Sequence, residues 1–302
     1  MAVQSPSIEV GGGVATRPSQ ASAARGYWRS VGRRLRRDPV TLVCLGLLVL
    51  IVAASVAAPW LGLADPYKTS MLRRLQGIGS PNHLLGTDEL GRDMLSRLVY
   101  GGRLSLFMGV TPVVCALLIG GLLGVTAGFL GGRVNMLIMR IMDVFYAFPS
   151  VLLAISLSGA MGAGTENTLI SLTLVFIPPI CRVSESVTTQ VRGFDFVDAA
   201  RASGAGTLTI VRVHVLGNVL GPILVYATSL ISVAIILAAG LSFLGLGVKP
   251  PEPEWGLMLN TLRQAIYVNP VLAALPGVMI FVTSICFNLM SDGLRAAMDV
   301  KA

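Results

Sequence analysis

The chain contains 302 residues, of which 54% are hydrophobic and only 13% are charged, and its formal net charge is +8. A chain of this length cannot bury so much apolar surface in water, so the composition excludes a soluble globular protein and indicates an integral membrane protein. The excess of Lys and Arg is expected to set the orientation in the membrane and to lie near lipid headgroups, and we expect no nucleic-acid partner.

Six long apolar stretches without Lys, Arg, Asp or Glu predict six transmembrane helices. They cover residues 41–64, 104–132, 144–164, 167–181, 213–248 and 264–291. A helix needs about 20 residues to cross the hydrocarbon core, so the fourth stretch must include flanking residues. Membrane barrels alternate apolar and polar residues in short strands, whereas these runs are continuous, and the predicted fold is therefore all-α.

The segment before the first span is rich in Gly, Ser, Ala and Pro and carries a cluster of arginines, which predicts a disordered basic cytoplasmic tail over residues 1–38. The basic leader and the apolar run are both longer than in a cleaved signal peptide, so we predict an uncleaved first helix. Residues 39–100 are expected to form this helix and an external loop. Leucines and a methionine recur at helical spacing in the loop, with charged residues between them, and predict an amphipathic helix at the membrane interface. These apolar residues are Leu90, Met94, Leu95 and Leu98.

The distribution of basic residues predicts that both chain termini face the cytoplasm. With the N-terminus inside, 15 of the 23 Lys and Arg residues lie in cytoplasmic segments, including the arginine cluster before the first span. The external loop carries six of the others, which favours the opposite orientation, but we expect the dense cluster beside the first span to dominate. The segment 182–216 is then cytoplasmic.

Two features within the predicted spans indicate helix packing. Gly120, Gly124 and Gly128 recur at four-residue spacing and predict a smooth face that another helix can approach closely. Arg140 and Asp143 lie three residues apart near the cytoplasmic end of the third span, so we expect them to form an intramembrane ion pair. An ionisable residue at membrane depth can instead belong to a transport pathway, and this alternative stays open.

A polar segment, 194–216, separates two of the apolar stretches and predicts two short helices joined by a tight turn. Asp195 is expected to cap the first helix, at 196–203, and Asp198 to lie where its carboxylate meets free backbone N–H groups. Gly204 is expected to end this helix in the left-handed conformation. The small alanines of the helix would let another protein approach closely, and an ordinary helical hairpin between spans is the alternative.

The sequence Pro-Pro-Glu-Pro-Glu-Trp at 250–255 predicts a rigid external loop. Its aromatic residue, Trp255, is expected to lie at the membrane interface.

No combination of residues predicts an enzyme or a metal site. The cysteines lie alone in or beside apolar runs, which predicts neither a disulfide nor a metal site, and the two histidines are expected on opposite sides of the membrane. The chain has no His-Glu-x-x-His helix, no phosphate-binding loop and a single candidate ionisable group within a span. Transport against a gradient would therefore need energy from another chain, and we predict no cofactor bound by this one. The cysteines are Cys44, Cys115, Cys181 and Cys286, and the histidines are His83 and His214.

The polar segment resembles the cytoplasmic EAA loop of ABC importer permeases, whose pattern is Glu-Ala-Ala, three residues, Gly, nine residues and Ile-x-Leu-Pro. Asp198-Ala199-Ala200 and Gly204 match the start of this pattern at the right spacing, and Leu216 matches its leucine. Three positions depart from the pattern: Asp198 replaces Glu, His214 replaces Ile and Gly217 replaces Pro.

Four further stretches resemble the dipeptide/oligopeptide/nickel permease family, and within it the second, C-type permease. They cover residues 83–106, 139–155, 241–260 and 288–299. Together with the polar segment, they account for most of the chain after residue 80. Glu185 stands where the family has a basic residue.

The resemblance implies an all-α integral membrane protein with six transmembrane helices in the type I ABC importer permease fold. Residues 101–295 would form the permease core of five transmembrane helices with a coupling loop at 182–216, and residues 296–302 a cytoplasmic tail. The implied partners are a homologous B-type permease, two ABC ATPase subunits that use ATP and Mg, an extracytoplasmic substrate-binding protein and the lipid bilayer of the bacterial inner membrane. This chain would itself catalyse no reaction.

The resemblance also implies that the short helix after Phe194 is the coupling helix, which lies in a cleft on an ATPase subunit. The residues implied in ATPase coupling are Asp195, Phe196, Asp198, Ala199, Ala200, Arg201, Gly204 and Leu216.

The implied activity is import of dipeptides or oligopeptides. Glutathione and nickel complexes are alternative substrates, because the binding protein makes most of the selection in this family. A channel-like or scaffold protein that binds a cytoplasmic partner without transport is the less favoured alternative.

Overall fold

Long helices account for nearly all of the structure. The computed structural model describes residues 32–298, so the first 31 residues of the predicted N-terminal tail and the last four of the predicted C-terminal tail lie outside it. No strand occurs among residues 32–298, and the predicted all-α fold is confirmed. The helices are α1 (Pro39–Ala57), α2 (Met94–Leu130), α3 (Gly132–Tyr146), α4 (Ser150–Met161), α5 (Thr165–Arg192), α6 (Asp195–Ala202), α7 (Leu216–Phe243), α8 (Trp255–Thr261) and α9 (Pro270–Met298).

Five helical segments are long and apolar enough to cross a membrane, and the bent pair α3 and α4 supplies a sixth if the two helices form one span. The fourth predicted span does include flanking residues, since α5 continues to Arg192. A short helix, Thr207–Thr209, and a π-helical turn, Ile210–Val215, lead without a break into α7. Within the predicted coupling loop, 182–216, the chain is thus helical up to Arg192 and again from Thr207, and α6 lies between these two segments.

The third predicted span, 144–164, is bent: it includes the end of α3 and all of α4. The axes of α3 and α4 differ by 85° across the break between Tyr146 and Ser150. Pro149 lies in the break with an extended backbone and precedes the first residue of α4. Proline has no N–H to donate and disfavours helical geometry in the residue before it, so the chain turns at this point.

Gly120, Gly124 and Gly128 lie on the face of α2 that packs against α5. A Cβ atom added to Gly120 would lie 2.7 Å from the carbonyl oxygen of Ile177, and one added to Gly128 would lie 2.6 Å from that of Glu185. These distances are much shorter than van der Waals contact, so the absence of side chains sets how closely the two helices approach.

The other long helices surround this pair. Helix α2 also contacts α1 and α7, and α9 packs against both of these. Thr41 of α1 lies against Gly293 of α9, and Met298 of α9 lies against Gly221 of α7. The start of α1, the end of α9 and the start of α7 therefore meet at the end of the bundle that carries α6, which we name the α6 end. The opposite end, where α2 begins, is named the loop end.

Buried charged residues, and not an amphipathic helix, organise the loop before α2. Met94 is the first residue of α2 and is fully buried, and Asp93 caps this helix by accepting a hydrogen bond from the Ser96 N–H at 2.8 Å. The prediction of a separate interfacial helix is wrong, because the charged residues between the apolar ones face the protein interior. Arg92 and Arg97 are 4% and 2% exposed.

Asp88 links both arginines at the loop end. Its Oδ2 atom lies 2.6 Å from Arg92 Nε and 3.2 Å from Arg97 Nε, while Oδ1 accepts two backbone hydrogen bonds at 2.9 Å. Arg97 also donates to the carbonyl oxygens of Pro66 and Pro251, at 3.1 and 3.4 Å. The Arg97 guanidinium, paired with the Asp88 carboxylate, thereby joins α2 to two loops that are distant in sequence.

Replacing Asp88 with asparagine is expected to loosen the loop end. Two buried guanidinium groups would lose their shared carboxylate, and breaking such a pair costs about 3–5 kcal/mol. Hydrogen exchange of residues 75–93 in the purified protein should rise in this variant. Asp65→Asn is the control, because the exposed Asp65 carboxylate accepts a hydrogen bond from the Tyr67 N–H at 2.8 Å and should not affect residues 75–93. Equal exchange in the Asp88→Asn and Asp65→Asn proteins would contradict the anchoring role of Asp88.

Trp255 is fully buried, so its predicted location at the membrane interface is wrong. Its indole N–H donates to the Leu98 carbonyl oxygen at 2.9 Å, and its backbone N–H donates to Ser105 Oγ at 3.0 Å. The preceding Glu254 caps α8 and accepts the N–H groups of Gly256 and Leu257 at 2.9 and 2.8 Å. The end of this segment, 253–255, is consequently part of the core at the loop end, whereas 250–252 are exposed.

The burial of Glu254 predicts a pH-dependent stability. Desolvation raises the pKa of Glu254 above its ordinary 4.5, although hydrogen bonds from Gly256 and Leu257 oppose this shift. The folded state then holds the proton more tightly than the unfolded chain, so this contribution to stability is complete below pH 4.5 and is lost as the pH rises through the folded pKa. In detergent, the unfolding temperature of Glu254→Gln should depend less on pH above 4.5 than that of the wild type. The exposed Glu252 provides the control, because Glu252→Gln should keep the wild-type dependence, and an unchanged slope in Glu254→Gln would contradict the assignment.

Candidate functional site

Helix α6 lies outside the bundle at the α6 end and is eight residues long. It begins at Asp195, one residue earlier than predicted, and Phe194 precedes it without a capping hydrogen bond from its side chain. The predicted capping role of Asp195 is therefore wrong. Both Asp195 and Asp198 lie in the first turn, where carboxylates interact favourably with the free N–H groups of a helix.

The end of α6 follows the sequence-based prediction. Gly204 has φ +81°, in the left-handed region that glycine adopts at little cost. The Gly204 N–H donates to the Arg201 carbonyl oxygen at 2.9 Å, and the Ala205 N–H donates to that of Ala200 at 3.1 Å. These two bonds form a Schellman motif, which satisfies the last carbonyl groups and fixes where the helix stops.

One side chain anchors α6 to the bundle. Val197 is fully buried, and it packs in a cluster formed by the ends of α2, α5 and α7 and by the turn before α7. The Arg201 guanidinium lies 5.7 Å from the centroid of the Phe129 ring and pairs with Asp198 at 3.1 Å. The other members of the Val197 cluster are Val125, Phe129, Val191, Ile210, Val215, Val219 and Ile223, with Leu216 partly buried against it.

The opposite face of α6 is exposed. Asp195, Asp198 and Ala199 lie on it, and Phe196 is 36% exposed at its edge. The Phe196 ring lies 6.4 Å from the imidazole of His214, the residue that replaces isoleucine in the family pattern. The face therefore combines small residues, two carboxylates and an aromatic edge, a surface that a second protein could approach closely.

Gly217 and Glu185 depart from the family pattern without interrupting the α-helices that contain them, whereas His214 lies in a π-helical turn. Gly217 lies within continuous helix with no atom of another residue near its missing side chain. Glu185 accepts a hydrogen bond from Asn135 Nδ2 at 2.6 Å and so links α5 to α3. In the π-helical turn before α7, each hydrogen bond spans one more residue than in an α-helix. Such turns are frequent at functional sites.

The predicted ion pair between Arg140 and Asp143 is absent from residues 32–298. Asp143 pairs instead with Arg182 of α5, and Arg140 is exposed on α3. The Arg182 guanidinium also lies 4.7 Å from the centroid of the Tyr146 ring. Sequence spacing predicted a partner for Asp143 on its own helix, but its carboxylate reaches Arg182 of the neighbouring helix α5.

The cysteines and histidines form no metal site in the described part of the chain. All four cysteines are free, and Cys44 and Cys286 share a small cluster between α1 and α9. His83 Nδ1 lies 2.9 Å from an Asp93 carboxylate oxygen at the loop end. His214 lies at the α6 end, so the two histidines are far apart, as predicted.

Residues 120–301 match the family model described as the binding-protein-dependent transport system inner membrane component. The chain belongs to this family. Residues 26–77 also match the N-terminal transmembrane domain of oligopeptide transport permease C, so the chain is a C-type permease of the dipeptide/oligopeptide ABC class.

Curated relatives cover nearly the whole permease. The di/tripeptide transport system permease protein DppC of Pseudomonas aeruginosa is 45% identical and is matched over 93% of both chains. The dipeptide permease DppC of Alkalihalophilus pseudofirmus is 39% identical over 94% of this chain and 93% of its own. The glutathione permease GsiD of Pectobacterium atrosepticum is 40% identical over 92% and 93%.

A solved structure supports the fold. The permease resembles an inward-facing MetNI methionine ABC transporter chain, with a TM-score of 0.56 and 20% identity, over 68% of this chain and 97% of the other. The predicted type I ABC importer permease fold is thereby confirmed.

The residues that sequence reasoning missed at the α6 end are Val197 and Phe129. A single β-branched residue within an alanine-rich helix was the available signal for Val197.

Proposed function

We propose that this permease forms, with a homologous B-type permease, the membrane path of an ATP-driven importer of dipeptides and oligopeptides. The observation that carries the proposal is the construction of α6, a short helix with a fixed end, one buried anchor and an exposed face of small and acidic residues. Such a helix can be held by a soluble partner without disturbing the bundle. Two ATPase subunits that bind ATP and Mg would supply the energy, and this chain would bind neither.

The orientation in the inner membrane follows from charge. Arg33, Arg34, Arg36 and Arg37 precede α1, which starts at the α6 end of the bundle. Clusters of this kind favour the cytoplasmic side. The termini and α6 would therefore face the cytoplasm and the loop end would face the substrate-binding protein.

Movement would pass from the ATPases to the spans as rigid-body motion. A displacement of α6 acts on Val197, whose neighbours belong to α2, α5 and α7. Helices α2 and α5 are in close contact through Gly120, Gly124 and Gly128 and would move as one unit. ATP-driven closure of the ATPases would in this way convert an inward-open path into an outward-open one.

The substrate class is supported by the names of the relatives. Those that are 45% and 39% identical are named di/tripeptide and dipeptide permeases. The glutathione permease at 40% identity makes glutathione the second candidate. Both substrate classes carry an ammonium and a carboxylate group, so a common path is chemically reasonable.

The test is uptake by the complete complex. The tagged permease would be purified with its partner subunits, reconstituted in vesicles with the binding protein and supplied with radiolabelled Ala-Phe or glutathione. We expect ATPase subunits to co-purify and Ala-Phe to accumulate only with ATP. Purification without an ATPase, or no ATP-dependent uptake of either compound, would refute the importer function. Uptake of glutathione alone would refute the peptide substrate and select the second candidate.

A further inference from the structure

The break between α3 and α4 opens a cavity that the coupling mechanism does not use. Its volume is about 510 Å³, within the range of roughly 300–1,000 Å³ typical of small-ligand sites. Aromatic rings dominate its lining, including Tyr146 and Phe148 at the break, Phe176 of α5 and Tyr226 of α7. Three helical elements that belong to different spans therefore contribute to one aromatic pocket.

A charged pair lies behind one wall of this cavity, where it adjoins the lining residue Tyr146. Arg182 is in contact with the Tyr146 ring and pairs with Asp143, and the side chains of the pair are 43% and 42% exposed. Arg182 lies ten residues before the end of α5, about 15 Å along the helix axis at 1.5 Å per residue. Charged groups exposed to lipid are costly, so this partly exposed face is expected to adjoin water or another protein.

The cavity wall also offers a backbone acceptor. Pro178 and Pro179 lie within α5 and have no N–H groups, so Pro179 cannot donate to the carbonyl oxygen of Val175. Val175 lines the cavity beside both prolines. The interrupted pair α3 and α4 lines the same cavity, and interrupted helices are characteristic of substrate sites in transporters.

We propose that this cavity and the Asp143–Arg182 pair bind a short peptide in its zwitterionic form. The peptide ammonium group would contact Asp143 and the Val175 carbonyl oxygen, its carboxylate would contact Arg182, and its side chains would lie against the aromatic rings. The peptide replaces one ion pair with two, so neither charge is left without a partner at membrane depth. This inference rests on the proposed function, because it assumes that the permease carries peptides.

Photo-crosslinking tests the site directly. The dipeptide of alanine and p-benzoylphenylalanine would be added to the complete reconstituted complex and illuminated, and the labelled residues mapped by mass spectrometry. We expect label within residues 145–153, 175–179 or 226–233, with competition by Ala-Phe and none by N-acetyl-Ala-Phe-amide, which lacks both charges. Label confined to other residues, or competition by the uncharged peptide, would overturn the assignment.

Variants separate peptide binding from a structural ion pair. Arg182→Gln and Asp143→Asn should each reduce labelling about tenfold, the effect of losing one interaction of about 1.4 kcal/mol. Arg140→Gln, which removes an exposed charge from the same helix as Asp143, should label like the wild type. The charge-reversed double variant, Asp143→Arg with Arg182→Asp, should restore any lost assembly while labelling stays low. Full recovery of labelling in that variant would mean that the pair only holds α3 to α5, which overturns the proposal.

A further variant covers the case in which the charge variants fail to assemble. Ser150 is exposed and lines the cavity at the start of α4, so Ser150→Trp should fill the cavity from its rim and abolish labelling in an assembled complex. Unchanged labelling in Ser150→Trp would overturn the assignment. A wild-type complex that imports Ala-Phe but is labelled elsewhere refutes this site alone, whereas a complex that imports no Ala-Phe refutes the proposed function.

Discussion

Replacing Gly204 with valine is expected to leave the permease in the membrane but to uncouple ATP hydrolysis from uptake. The backbone at Gly204 has φ +81°, a conformation that β-branched residues rarely adopt, and no other group fills the space beside it. Holding valine in the left-handed region costs about 1–2 kcal/mol, which is as large as the net contribution of about 0.5–1.5 kcal/mol from each hydrogen bond of the Schellman motif. The last turn of α6 should therefore rearrange, and its exposed face should no longer match the ATPase cleft.

The measurement is the ratio of peptide taken up to ATP hydrolysed in reconstituted vesicles. We expect this ratio to fall about tenfold or more, a change that corresponds to roughly 1.4 kcal/mol. Gly206→Val provides a matched control two residues away. Its space is equally open, but its φ of −67° and ψ of 152° suit valine. Equal ratios in the two variants would contradict the conformational argument.

Replacing Gly124 with valine is expected to prevent the permease from folding. A Cβ atom at this position would lie 2.6 Å from Ser184 Cβ and 2.9 Å from the Glu185 backbone nitrogen, and it would also meet the Cys181 carbonyl oxygen. Backbone atoms cannot move aside as side chains do, so α2 and α5 would have to separate along their length. Overpacking typically costs about 1–3 kcal/mol and more where backbone is involved.

Gly121→Val is the control for this prediction, because a Cβ atom there meets a single side-chain atom, of Leu117, at 3.9 Å. Both variants place the same residue on the same helix and differ only in the face that carries it. We expect folded permease, measured by size-exclusion chromatography of the solubilised membrane fraction, to be lost in Gly124→Val and retained in Gly121→Val. Similar yields from both would show that the glycine face does not set the contact.

Features that depend on short segments were predictable from the sequence. Continuous apolar runs identify membrane helices because the bilayer requires about 20 such residues, and the four-residue spacing of the glycines follows from helical periodicity. The left-handed conformation of Gly204 was predictable for the same reason, since it depends on one residue at the end of a helix. The EAA pattern and the further motifs then identified the family.

Features that depend on contacts between distant segments were not predictable. Asp143 has an arginine three residues away on its own helix, yet it pairs with Arg182, which is 39 residues distant. Pro149 is visible in the sequence, but whether a proline kinks a helix or breaks it depends on the neighbouring spans. Likewise, the sequence predicts that the charged residues of the loop end lie on an exposed helix face. Nothing local indicates that the arginines pair with Asp88 and are buried.

The location of Trp255 illustrates the same difficulty. A tryptophan after a proline-rich segment is typical of a membrane interface, and only the position of Leu98 and Ser105 on α2 explains why this one is buried. The capping role assigned to Asp195 failed for a smaller reason, since the helix begins one residue earlier than predicted. Boundaries of short helices depend on single hydrogen bonds, which sequence patterns resolve poorly.

The attachment of α6 by Val197 has a mechanical consequence. Full burial of one valine side chain contributes about 1.5–3 kcal/mol, so side-chain packing holds the helix in its seat only weakly. The helix itself, about 12 Å long at 1.5 Å per residue and closed by its glycine motif, resists bending. Force applied at Ala199 should accordingly tilt this stiff helix as a unit. The change in backbone angles should then fall on the residues that flank it on either side.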